Sequence, residues 1–168
     1  MAGNHLEDLV AEWYQWQGFF VRRNVQVGKR SRGGYECELD VVAFHPEKQL
    51  LLQVEPSLDA DSWGKREQRY RKKFAAGKKH IPALFPGVNL PVEPEQIALF
   101  VYGGLGDRTT LAGGRIVLIK QFMAEILAAV RTRKLASAAV PEEYPLLRTL
   151  QFAAQFWPMV DHAAQQSE

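Results

Sequence analysis

Two carboxylates, Asp40 and Glu55, are the residues whose type and spacing best suit chemistry. They stand in the stretch from Tyr35 to Ser57, where the apolar runs Leu39–Phe44 and Leu50–Val54 flank the polar turn His45-Pro46-Glu47-Lys48, the pattern of a β-hairpin. A turn centred between Glu47 and Lys48 pairs residues whose numbers sum to 95, which sets Asp40 opposite Glu55. Directly opposed side chains share a face of a sheet. Two carboxylates at the end of an apolar hairpin cost free energy unless a cation or a donor meets them. The pattern points to a site for a hard divalent ion, or else to carboxylates at a wet strand edge or in salt bridges with Arg22, Arg23, Lys29 or Arg30. One residue of register slip would put them on opposite faces.

Oxygen donors without a His or Cys cluster suit Mg²⁺ or Mn²⁺ better than zinc. The four histidines, at 5, 45, 80 and 162, form no His-x-x-x-His pair. Cys37 is the single cysteine, so an intrachain disulfide and a Cys-rich zinc site are both excluded, and a small buried thiol is its expected role. Two basic segments lie on either side of the hairpin. The turn Gly28-Lys-Arg-Ser-Arg-Gly-Gly34 contains Arg30 and Arg32, and the stretch from Trp63 to Lys79 carries Lys65, Arg69 and Lys72 on one flank of a helix. These five cations are candidate contacts to a phosphate backbone; the alternative is a solvated loop and a solvated helix face.

Elements must position these groups. At 168 residues with 46% hydrophobic content, the chain fits one domain with a full core. Its net charge of +2 permits a nucleic-acid partner without demanding one. With no signal segment and no run approaching a membrane span, a soluble protein of the cytoplasm is expected. Asn4 and Glu7 form a capping-box-like pattern ahead of an amphipathic helix over 5–17 that Gly18 ends. Trp13, Tyr14 and Trp16 fit sheet packing better than base stacking. A strand over 19–27 precedes the basic turn. The helix over 63–79 turns Tyr70 and Phe74 toward a sheet, four prolines between 80 and 95 exclude a regular element over most of that span, and strands follow at 97–102 and 115–119. Gly103-Gly-Leu-Gly-Asp107 is a turn, since it has neither a dinucleotide nor a P-loop pattern. Helices are expected over 122–130 and 146–157, with a frayed tail from Asp161.

The order helix, strand, paired strands bearing Asp40 and Glu55, helix, strand, strand, helix resembles the restriction-endonuclease-like PD-(D/E)xK superfamily, closest to its Mrr-like branch. The likeness rests on Leu6-Glu7, Gly18-Phe19, Glu38-Leu39-Asp40-Val41-Val42-Ala43 and Leu52-Gln53-Val54-Glu55-Pro56-Ser57, and it covers about the first 120 residues. It implies an α/β fold: a restriction-endonuclease-like core over 1–130, with a mixed, twisted β-sheet flanked by helices. The resemblance leaves the last 40 or so residues unaccounted for, and a C-terminal helical extension over 131–168 packing on the same domain is expected there. It also implies a magnesium- or manganese-dependent endonuclease, a hydrolase of DNA phosphodiester bonds, with Asp40, Glu55 and the carbonyl of Pro56 as metal ligands and Glu7 as support. Where the family has its lysine this chain has Ser57, and a neutral hydroxyl cannot steady developing negative charge. Three explanations compete: Lys65 at the start of the next helix substitutes for that lysine, the bound metal alone suffices, or the site has decayed into a binding surface. The alternative is a catalytically inactive nuclease-fold protein that binds nucleic acid or a protein partner. Phe152, Phe156 and Trp157 are the candidate surface for a homodimer or larger assembly.

Overall fold

A computed structural model describes residues 4–165, with side-chain surroundings through Trp157. Asn4 caps the first helix, α1 (His5–Trp16): its side chain accepts the Leu6 N–H at 3.0 Å, while the Glu7 carboxylate accepts the N–H of Asn4, the reciprocal half of a capping box. Leu6, Val10, Ala11 and Trp13 make its buried stripe, and the helix packs against the first three strands. Gly18, at φ 89°, lets the chain leave it.

Those strands, β1 (Phe20–Lys29), β2 (Tyr35–His45) and β3 (Leu50–Ser57), form an antiparallel meander. The β2–β3 register, from Val41↔Val54 to His45↔Leu50, keeps the sum of 95 throughout. Val42 and Phe44 therefore share a face with Gln53 and Leu51, and Val41 and Ala43 share the other with Val54 and Leu52. Beside Asp40 the sheet loosens: Asn24, at φ 50°, falls between the pairs Arg23↔Val41 and Val25↔Leu39.

After β3 the chain crosses over through α2 (Trp63–His80) to β4 (Glu95–Phe100), which runs parallel to β3. A parallel neighbour requires such a crossover. β5 (Thr110–Leu111) and β6 (Gly114–Leu118) form a small hairpin whose second strand is parallel to β4, completing a six-stranded mixed sheet of order β1-β2-β3-β4-β6-β5. Ala76 of α2 joins Ile81 over Val42, Phe44 and Leu51, and Tyr70 and Phe74 pack with Ala98, Phe100, Leu111 and Ile116. Trp13 is buried beside Trp16, their rings 5.8 Å apart, so both serve packing.

The compact unit holding this sheet ends at Ile119, and a second begins at Lys120. The second contains α3 (Ile119–Arg131), α4 (Leu135–Ala138) and α5 (Pro145–Gln165). Within it Gln151 is buried and bonds the Val140 N–H and the carbonyls of Arg133 and Ala138. α5 runs through Gln165 and so includes the first residues of the segment expected to fray from Asp161. Residues 166–168 lie outside the described part. The proline-spaced span holds one short 3₁₀ turn, Ile81–Leu84, and β5 was not expected from sequence. Among the described residues no helix is long and apolar enough to cross a membrane.

Candidate active site

The hairpin brings Asp40 and Glu55 together one step beyond the last paired residues, and α2 supplies a cation between them. Lys73 Nζ donates to Asp40 Oδ1 at 2.6 Å and to Glu55 Oε2 at 2.5 Å. The same Oε2 lies 3.4 Å from the Asp40 N–H, so a side chain takes over where the ladder stops. Glu55 is 1% exposed and Asp40 9%. Burial pushes the Glu55 carboxyl well above the usual carboxylate range, with Asp40 adding to the rise and the Lys73 ammonium opposing it. Burial works against the Lys73 charge too, but the two carboxylates outweigh it and hold the ammonium protonated.

Glu55 is fixed from below by a buried amide network. Gln53 Nε2 donates to Glu55 Oε1 at 2.8 Å and to the Lys73 carbonyl at 3.1 Å, while Gln96 Nε2 donates to Gln53 Oε1 at 2.7 Å and to the Phe74 carbonyl at 2.8 Å. Tyr70 donates its hydroxyl to the Glu55 carbonyl at 2.9 Å, tying strand to helix. The approach depends on Gly77, where an added Cβ would stand 1.8 Å from Gln53 Oε1.

Beside Asp40 opens a cleft of about 280 Å³ lined by Asp40, Pro56, Ser57, Asp59, Arg69 and Lys73, among others. It lies just past the carboxyl end of β3, a usual place for ligands in open α/β sheets. Asp59 organises its rim. Its Oδ2 accepts hydrogen bonds from Ser57 and Arg69, and its Oδ1 accepts from Arg66 Nε at 3.2 Å. Burial acts to raise the Asp59 carboxyl, but hydrogen bonds from Ser57, the Asp61 N–H and Arg69 prevail and lower it to about 2. Arg66 is itself buried, its guanidinium 4.9 Å from the Trp63 ring centroid and 4.4 Å from that of Phe100. Its Nη2 donates to the carbonyls of both Asp59 and Tyr102.

The predicted residues divide. Asp40 and Glu55 meet as the register requires, Pro56 lines the same cleft, and Arg69 stands on its rim. Glu7 is half-buried; burial and then Asp40 raise its carboxyl while Lys73 lowers it, so it lies within electrostatic reach of the pair. Lys65 does not join them: its side chain is 75% exposed and its ion-pair partner is Asp61 at 3.9 Å. Lys73, two turns further along α2, holds the position instead. Arg30 and Arg32 are exposed in the β1–β2 turn, and Lys72 is exposed on α2. Arg22 donates to the Leu84 carbonyl and Arg23 pairs with Asp8, so neither neutralises the carboxylates.

In donor type the site fits a hard divalent ion. Two carboxylates converge on one positive charge, with no thiolate or imidazole in the cluster, and the open cleft lets water complete a shell. Among the described residues no group of three or more His, Cys, Asp or Glu side chains is gathered to hold a metal. No protein-family model, curated protein or solved structure matches this chain.

Lys73, Gln96, Gly77 and Asp59 were missed from sequence. The signal for Lys73 lay in helical geometry: it is three residues from Tyr70 and adjacent to Phe74, hence at the border of the sheet-facing edge, whereas Lys65 is near Glu55 only along the chain. Gln53 carried a signal too, as an amide two residues before Glu55 on one face.

Proposed function

We propose that this protein is a metal-dependent nuclease that hydrolyses DNA phosphodiester bonds, with a restriction-endonuclease-like core of the PD-(D/E)xK type. The observation that carries the proposal is the convergence of Asp40 and Glu55 on the Lys73 ammonium, with Asp40 and Lys73 lining an open cleft and Glu55 buried behind them. The order of helix, three-stranded meander, helix and parallel strand supports it, because that resemblance implies such an order around these two carboxylates.

Asp40, Glu55 and the Pro56 carbonyl would hold Mg²⁺ or Mn²⁺. When bound, the ion supplies a lowered pKa for its water and polarisation of the phosphate. Lys73 provides the positive charge that Ser57 cannot: with an ion on the carboxylates its ammonium would turn to the phosphate and donate to the attacking or the non-bridging oxygen. Arg69, held by Asp59 and Asp61, orients the phosphate from the rim. Glu7 acts from α1 through water. Arg30, Arg32, Lys65 and Lys72 contact the DNA backbone further out.

The test is nicking of supercoiled plasmid with Mg²⁺ or Mn²⁺. Asp40→Asn and Lys73→Met should each lose at least about a hundredfold in rate, the usual scale for one electrostatic group, while Lys65→Ala should weaken DNA binding but keep the rate at saturating DNA. Cleavage by Asp40→Asn at the wild-type rate would overturn the assignment. A second reading, a binding protein on the same fold, draws on the absence of a third gathered carboxylate among the described residues. It requires salt-sensitive DNA binding with no cleavage under any divalent ion.

A further inference from the structure

We propose that Lys73 is a resident counter-ion that competes with the divalent ion for Asp40 and Glu55, so that metal and phosphodiester bind cooperatively. This rests on the nuclease reading for the identity of the competing ion. The geometry leaves Glu55 little choice of partner. Its Oε1 faces the Gln53 amide at 2.8 Å, and its Oε2 faces Lys73 Nζ at 2.5 Å. Gln53 is fully buried and held by Gln96 and the Lys73 carbonyl, so Oε1 is committed to the protein interior. Asp40 and Lys73 line the cleft while Glu55 does not, so a metal ion reaching Glu55 must take Oε2, and with it the space that Nζ occupies.

Lys73 has somewhere to go. Its side chain is 20% exposed and lines the cleft beside Arg69, where a phosphodiester oxygen would offer the ammonium a replacement partner. A phosphate drawing Nζ upward frees both carboxylates, and an ion on the carboxylates repels Nζ toward the phosphate. By linkage each ligand then strengthens the other by the same factor. Without DNA, the ammonium already offsets one of the two negative charges and occupies the ion's place, so metal affinity is low.

The test is calorimetric titration of MnCl₂ into the full chain, with and without a phosphorothioate duplex that resists cleavage, for wild type, Lys73→Met and Lys73→Arg. The wild type should bind Mn²⁺ weakly alone and at least about tenfold more tightly with the duplex, within the usual range of coupling between sites. Lys73→Met should bind Mn²⁺ alone at least about tenfold more tightly than wild type, because a unit charge a few ångströms away is removed, and should gain little further from the duplex. Lys73→Arg, which keeps the charge, should behave as wild type. If Lys73→Met does not fold, the neutral Lys73→Gln must show the same tightening. Affinity in the neutral variant equal to or weaker than wild type, or no Mn²⁺ binding by any of the proteins, overturns the proposal. Failure of the nuclease reading is seen separately, as coupled Mn²⁺ and duplex binding by a wild type that cleaves no DNA.

Discussion

Replacing a helical glycine by alanine ordinarily stabilises a protein by up to about 1 kcal/mol, and Gly77→Ala should do the opposite. An alanine Cβ at this position would lie 1.8 Å from Gln53 Oε1, 2.5 Å from its Cδ and 2.8 Å from its Nε2. The amide cannot yield slightly, because it is fixed at both ends by Glu55, the Lys73 carbonyl and Gln96. Displacing it strands buried partners, each at roughly 1–3 kcal/mol. Set against the helical gain, the net loss should be about 2–4 kcal/mol, read as a lower urea midpoint with an unchanged m-value. On a Gln53→Ala background the obstruction is gone, and the same Gly77→Ala change should now stabilise by up to about 1 kcal/mol. Gly64 of α2, where a Cβ would meet nothing within 4 Å, is the control, and Gly64→Ala should be neutral or stabilising. Equal stability of Gly77→Ala and wild type, or the same loss with and without Gln53, would refute the argument.

Asp59, lowered from 3.8 to about 2, contributes stability that is fully present above pH 3.8 and lost as pH falls through 2; Asp59→Asn should remove about 2 kcal/mol of it, visible as a flatter acid limb in unfolding measured against pH. Phe74→Ala empties a site that is 2% exposed and should cost about 3–5 kcal/mol by urea denaturation. Lys72→Ala should leave unfolding unchanged but reduce the salt slope of DNA binding by about 1, if this exposed residue meets a phosphate.

The part of the site built by the hairpin was legible because sheet periodicity is simple. Once the turn was placed between Glu47 and Lys48, the register put Asp40 beside Glu55, and the ladder from Val41↔Val54 onward keeps it. The cation was harder. A helix advances 100° per residue, so which of eight Lys and Arg between 63 and 79 meets the strands depends on where α2 crosses the sheet, and no local pattern states that. Lys65 is near Glu55 in sequence, but Trp63 and Arg66 turn toward Phe100 and leave Lys65 in solvent. Nothing local in the sequence sets Arg66 apart from the other cations of α2, because its burial requires two aromatic faces and carbonyls from two loops that sequence does not bring together. Gln96 sits some forty residues from Gln53, and only the parallel pairing of β3 with β4 joins them.

Arg66 makes the rim of the cleft behave as a lever. One guanidinium grips the Asp59 and Tyr102 carbonyls, and Gly103 passes so near that a Cβ there would be 2.6 Å from Arg66 Nη1. The segments leaving β3 and β4 are thereby clamped to a single rigid pivot at the strand ends. Asp59 divides its two oxygens between that pivot and the Ser57–Arg69 pair. A load placed on Arg69 is therefore carried to the glycine loop after β4 through three hydrogen-bonded contacts, Arg69 to Asp59, Asp59 to Arg66 and Arg66 to the Tyr102 carbonyl, and amide exchange at Gly103 and Gly104 should slow when an anion occupies the cleft.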